Sequence, residues 1–257
     1  MIPPLHENAA WPAPREFPAL AWGEIHVWRI ALDGEEVLAE EARRILSADE
    51  IGRAGRFRFD GDRLAYIHGR LALRKILAGY LRRPPATLVF QCNPWGKPSL
   101  GGDWTGHPFK FNLSHSGRLG LLGVSLGSEL GVDIERLDDS KADERIAARF
   151  FAPGEMAALG TLVGEEWVQG FFNCWTRKEA YIKARGEGLS IPLNGFEMSL
   201  RPGVPVELIH GEMDFPEAEN WTIVALDPDS NYTAALAVRS LAGSVRCFTW
   251  PGGLEIR

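Results

Sequence analysis

Cysteine is scarce in this chain: three in 257 residues, Cys92, Cys174 and Cys247, widely separated and with no C-x-x-C pair. Neither a disulfide framework nor a cysteine-rich zinc site is expected, and a reducing cytoplasm is the compartment this usage fits. No run approaches the ~18 unbroken apolar residues of a membrane span. The proline-rich stretch up to Pro18 has no basic start followed by an apolar segment, so it does not read as a secretory signal. The histidines show no H-E-x-x-H or paired-ligand spacing, and the G-x-x-x-x-G-K-[ST] phosphate loop is missing. Positive charge is also short, 28 Lys+Arg against 34 Asp+Glu for a net of -6. That argues against a dedicated nucleic-acid binder or a polybasic membrane anchor.

What remains is an ordinary globular composition, 45% apolar and 24% charged, with a mean hydropathy of -0.13. The length suits one large or two small domains. The charge is unevenly spread. Residues 51–90 hold nine basic side chains against two acidic ones, a net of +7, which leaves -13 for the rest.

Alternating apolar residues predict a strand over 24–30, and helical periodicity predicts a helix over 62–80 with Asp62 as its N-cap. On that helix Arg63, Arg70 and Arg74 share one face, read either as a basic stripe or as a solvated surface. Pro84 and Pro85 close it, and a short strand is expected at 88–90. A β meander is predicted over 109–114, 118–126 and 131–135, then helices over 143–151, 153–162 and 165–185, the last ended by Gly186 and Gly188. Strands return at 196–200, 221–226 and 233–238. Segregated elements of both kinds make the fold class α+β.

Asp133 and Glu135 lie two apart on a predicted strand, so their carboxylates share the face opposite Val132 and Ile134. Such a pair is either a platform for a hard cation such as Mg²⁺ or a solvent-facing strand. Glu179 and Lys183, four apart in Trp175-Thr176-Arg177-Lys178-Glu179-Ala180-Tyr181-Ile182-Lys183, are neighbours on one helix face. Taken alone, that spacing is most often a surface ion pair. Asn112-Leu113-Ser114-His115-Ser116 suits phosphate or ribose contacts, and equally a tight turn. Gly123-Val124-Ser125-Leu126-Gly127 matches a hydrolase nucleophile elbow, yet a turn and another strand follow Ser125 where an elbow needs a helix.

In this order, Gly96-Lys97-Pro98, Phe111 to Ser116, Gly131 to Glu135 and Trp175 to Lys183 resemble the signatures of the Sfp-type 4'-phosphopantetheinyl transferases. Phe150 to Glu155 and Gly186 to Leu189 resemble the segments that link them. The resemblance implies a pseudo-twofold chain of two similar α+β halves, 1–126 and 127–257, with the active site between them and a monomer as the default. It implies transfer of the phosphopantetheine arm of coenzyme A to a serine of an acyl or peptidyl carrier protein, releasing adenosine 3',5'-bisphosphate. Carriers of fatty-acid, polyketide or nonribosomal peptide synthesis are the implied partners.

By position, the resemblance makes Asp133, Glu135 and Glu179 ligands of Mg²⁺, Glu179 the base for the serine hydroxyl and Lys183 its charged partner. Coenzyme A contacts would come from Arg53, Lys97, Ser114, His115, Asp133 and Lys183. Glu50 departs from the pattern, standing where some relatives carry a second basic residue near the 3'-phosphate. The competing reading is a member that binds carriers or coenzyme A without transfer, against which the retention of all three carboxylates and Lys183 argues.

Overall fold

The computed structural model describes residues 11–33, 39–209 and 220–254. Strand β1 (Ile25–Ala31) leads into helices α1 (Ala39–Ile45), α2 (Ala48–Ala54) and α3 (Asp60–Leu81). A small hairpin, β2 (Phe90–Cys92) and β3 (Pro98–Leu100), precedes the longer strands β4 (Phe109–Ser116), β5 (Leu119–Leu126) and β6 (Leu130–Arg136). Helices α4 (Glu144–Phe150), α5 (Pro153–Leu159) and α6 (Glu165–Arg185) follow. The chain then forms β7 (Glu197–Met198), β8 (Leu208–Ile209), β9 (Trp221–Leu226), β10 (Tyr232–Arg239) and β11 (Val245–Thr249).

Two principal sheets form, in the orders β11-β1-β5-β4 and β6-β10-β9. All their pairings are antiparallel except β11 with β1. The first sheet therefore takes β1, β4 and β5 from the first half of the sequence and β11 from its far end.

Strand alternation explains the layering. Trp28, Ile30, Leu122 and Val124 turn one face of the first sheet to Leu73, Ile76 and Leu77 of α3. Ile25, Val27 and Leu121 turn the other face to Leu130, Val132, Ile134 and Leu236 of the second sheet. The outer face of that sheet, through Ala235 and Ala237, packs on Ala180, Tyr181 and Ala184 of α6. Gly131, Asp133 and Glu135 thus face α6. Among the described residues no helix is long and apolar enough to cross a membrane.

The α+β class stands, with three local revisions. Helix α3 begins at Asp60, two residues before the expected cap, and its N-cap residue is Phe59, which makes no side-chain cap. The strand expected at 88–90 forms at 90–92 instead, where it pairs with β3. Of the helical arginines, Arg74 is buried at 2% exposure rather than lying in a surface stripe. Its Nε donates to Glu50 Oε2 at 2.7 Å, and its Nη1 caps Pro85 O and Leu88 O, each at 2.9 Å. Glu50 also accepts from Arg70 Nε at 2.6 Å and, within the capping box of α2, from Ser47 N at 2.8 Å.

Candidate active site

The two sheets meet edge to edge at β4 and β6, which share no backbone ladder; the even-numbered side chains of β4 join them instead. Lys110 Nζ pairs with Glu129 at 2.8 Å, and Asn112 Oδ1 accepts from Val132 N at 2.9 Å. Ser114 Oγ donates to Asp133 Oδ1 at 2.9 Å, and Ser116 Oγ donates to Glu135 Oε2 at 2.7 Å. The period of two along β4 makes this possible, while Phe109, Phe111 and Leu113 point to the α3 core. Asn112 and Ser116, read in the sequence as part of a segment suited to phosphate or ribose contacts or to a tight turn, instead tie β4 to β6; the alternation of short polar residues was the available signal.

Helix α6 brings the remaining groups over β6. Gly131 permits the approach: a Cβ there would meet Ala180 O and Ala184 N at 2.3 Å each. One residue before Glu179, the fully buried Lys178 donates to Leu193 O and Phe196 O, each at 2.5 Å, and pairs with Glu155 at 2.8 Å. This contact, also missed in the sequence, fixes the rotation of the helix. Lys183 Nζ then reaches Asp133 Oδ1 at 2.5 Å and Ser114 Oγ at 2.9 Å. The expected helix-surface pairing of Lys183 with Glu179 is therefore replaced by a cross-element bond to Asp133.

Three carboxylates now converge on one ammonium. Burial raises the pKa of Asp133, with Lys183 and Ser114 offsetting only part of it. Glu135 is raised by burial and by Asp133, against its Ser116 bond. Glu179 is pushed up to about 6 by burial and by the charges of Asp133 and Glu135, with Lys183 opposing. Asp133 Oδ2 is buried and has no hydrogen-bond partner. An orphaned carboxylate oxygen in such surroundings is costly unless something positive faces it.

This donor set fits a hard divalent cation, which takes a few carboxylate oxygens and completes its shell with water and phosphate. Among the described residues no three acidic or imidazole groups are already gathered as a metal cage. Lys183 rather than a third carboxylate stands against Asp133 Oδ1.

The expected nucleotide contacts separate into two kinds. Arg53 is exposed beside Arg56 and Phe57 around a shallow hollow, with its guanidinium stacked 5.5 Å from the Tyr66 ring centre. His115 is exposed too, and partial burial followed by the Lys183 charge lowers its imidazole pKa. Ser114, by contrast, is buried with its hydroxyl already bonded to Asp133 and Lys183. The Lys97 ammonium contacts Glu129 Oε2, Leu130 O and Ala184 O at 3.0, 3.3 and 2.7 Å. Ser125, the hydrolase decoy, is fully buried and donates to Ser128 O at 2.6 Å, so it offers no nucleophile.

Residues 129–237 match the 4'-phosphopantetheinyl transferase superfamily, and residues 36–126 match the description 4'-phosphopantetheinyl transferase, N-terminal. The chain is 40% identical to the 4'-phosphopantetheinyl transferase HetI of a Nostoc species, over 84% of this chain and 87% of that one. It is 30% identical to a 4'-phosphopantetheinyl transferase of Bacillus subtilis, covering 82% and 90% of the two chains. Identity is also 30% to the human L-aminoadipate-semialdehyde dehydrogenase-phosphopantetheinyl transferase, covering 79% and 70%. With matches across both halves and a relative of this identity and coverage, the chain belongs to the 4'-phosphopantetheinyl transferase superfamily, Sfp type.

Proposed function

We propose that this enzyme carries out Mg²⁺-dependent transfer of the 4'-phosphopantetheine arm of coenzyme A to a serine of an apo acyl or peptidyl carrier protein. The observation that carries the reading is the buried, unpartnered Asp133 Oδ2 in the field of Glu135 and Glu179, with Lys183 bonded to the other Asp133 oxygen. Asp133, Glu135 and Glu179 would hold the metal, which when bound neutralises the diphosphate and polarises the phosphorus that is attacked.

The chain's own residues supply the rest. Without the metal, burial and the charges of Asp133 and Glu135 push Glu179 up to about 6, so it is ionised at neutral pH and able to accept a proton. It takes the proton of the carrier serine as the serine oxygen bonds to the β-phosphorus. The bond from that phosphorus to the bridging oxygen breaks, and adenosine 3',5'-bisphosphate leaves with that oxygen. Lys183, held by Asp133 and Ser114, stabilises the charge that develops there. The accessible side chains of Arg53 and His115 would meet the nucleotide phosphates, and Ser114 would act by orienting Asp133 and Lys183.

Incubation with coenzyme A, Mg²⁺ and a panel of apo carriers, read by intact mass, tests the reading. A gain of one phosphopantetheine is expected, with none in EDTA or for Asp133→Ala. Product formed equally well without metal would overturn it.

A further inference from the structure

The short turn before β3 grips the end of α6. Asn93 Nδ2 donates to Gly186 O at 2.6 Å. Its Oδ1 accepts from Trp95 N at 3.0 Å and Lys97 N at 2.9 Å, and Asn93 N donates to Lys97 O at 3.0 Å, which closes the turn on itself. From this turn the Lys97 ammonium directs its three protons at three protein oxygens. They are Ala184 O, next to Lys183; Leu130 O, three residues before Asp133; and the Glu129 carboxylate. Gly186, in the left-handed conformation at φ +73, lies so close that a Cβ would come within 2.7 Å of Lys97 Cδ.

These contacts have a common geometry. One ammonium bonds both the strand that carries Asp133 and Glu135 and the helix that carries Glu179 and Lys183. Its helix partner, Ala184 O, is a last-turn carbonyl without an intrahelical donor, where a cation also meets the negative end of the helix dipole. We infer that Asn93 and Lys97 form a positioning clamp that holds the last turn of α6 against β6, so that Lys97 acts on the reaction through Lys183 rather than by touching a coenzyme A phosphate. The inference rests on reading Asp133, Glu135, Glu179 and Lys183 as the reaction centre.

An ammonium with three oxygens has no proton left for a phosphate, so a direct ligand role would require it to leave one of them. A displacement of the helix end by about 1 Å lowers turnover by up to about 10²-fold, since the reacting groups lose their alignment. Binding of the nucleotide through Arg53 and His115 would be unaffected.

The test uses Lys97→Met and Asn93→Ala in the full chain, the second leaving the lysine contacts in place should the first fail to fold. With a saturating carrier, both are expected to lower kcat about tenfold or more while the KM for coenzyme A stays within about threefold. Amide hydrogen exchange over residues 182–186 of the unliganded protein is expected to quicken in both. A raised KM for coenzyme A with unchanged kcat would overturn the clamp in favour of a phosphate ligand. Exchange rates unchanged in both variants would also overturn it. The exchange measurement needs no turnover, so it decides the clamp even if the wild-type chain modifies no carrier and the functional reading fails.

Discussion

Two buried charge clusters in this protein are built on opposite terms. Around Glu50, two guanidiniums and a backbone N–H meet one carboxylate. Although burial alone would raise its pKa, Arg70, the Ser47 N–H and Arg74 hold Glu50 below the ordinary glutamate value. Around Asp133, three carboxylates share Lys183, one oxygen has no partner, and all three acids are raised. The first cluster is balanced and ties α2 to α3. The second is short of positive charge and lies where two sheets and a helix converge. Under-compensated charge is stable only because the surrounding fold enforces it, which is how catalytic groups acquire shifted pKa values.

The largest effect should come from Glu179→Gln, which on the proposed mechanism removes the base and one of the metal ligands. Loading of a carrier is expected to fall on the order of 10²–10³-fold, while urea denaturation at pH 8 shows no loss of stability. A parallel loss of both would erase the distinction between the clusters. Glu50→Ala is expected to behave in the reverse manner. It strands the buried Arg74 and should lower unfolding free energy by about 3 kcal/mol, with turnover per folded molecule little changed.

Gly131→Ala probes the boundary between the two behaviours. The added methyl would meet backbone atoms of α6 that cannot rotate away, so stability should drop by about 2 kcal/mol. Turnover should also fall, by about tenfold, because Lys183 and Glu179 ride on the displaced helix. A gain of stability, read by thermal melting, would show that α6 has room to approach.

The smallest effect, and the sharpest in sign, concerns pH. Glu179 binds its proton more tightly in the folded chain. Its contribution to stability is therefore full below the ordinary value of 4.5 and is lost as pH rises to about 6. In EDTA, Glu179→Gln should abolish a decline of about 2 kcal/mol across that window. Glu50 titrates the other way: its contribution is present above 4.5 and is lost as pH falls through its lowered folded value. Urea midpoints at pH 4, 5 and 7 for both variants would show the two signs, and matching slopes would contradict them.

Much of the fold was legible because its signals are local. Period-two alternation marked β4, β5 and β6, and α6 runs from Glu165 to Arg185 with Gly186 ending it, as its pattern predicts. Strand β11 gave no comparable signal, since its place beside β1 is set by pairing across more than 200 residues. The capping box from Ser47 to Glu50 is a local signature, yet the same Glu50 reads as a lost phosphate contact until Arg70 and Arg74 are brought against it. The shared face of Asp133 and Glu135 was visible; that the face meets a helix rather than solvent was not.

The sequence by itself determined the α+β class, the principal strands and helices, and the carboxylates and lysine at family-like spacing, because periodicity and motif order act within a few residues. Only the tertiary structure decided that Lys183 bonds Asp133 and not its helical neighbour Glu179, and that the Lys97 ammonium joins β6 to the end of α6. It also decided how the +7 segment is divided, with Arg70 and Arg74 held by Glu50 while Arg53 stays exposed. The physical reason is that charge compensation depends on which groups come within a few ångströms of one another, and that is a property of packing between distant segments.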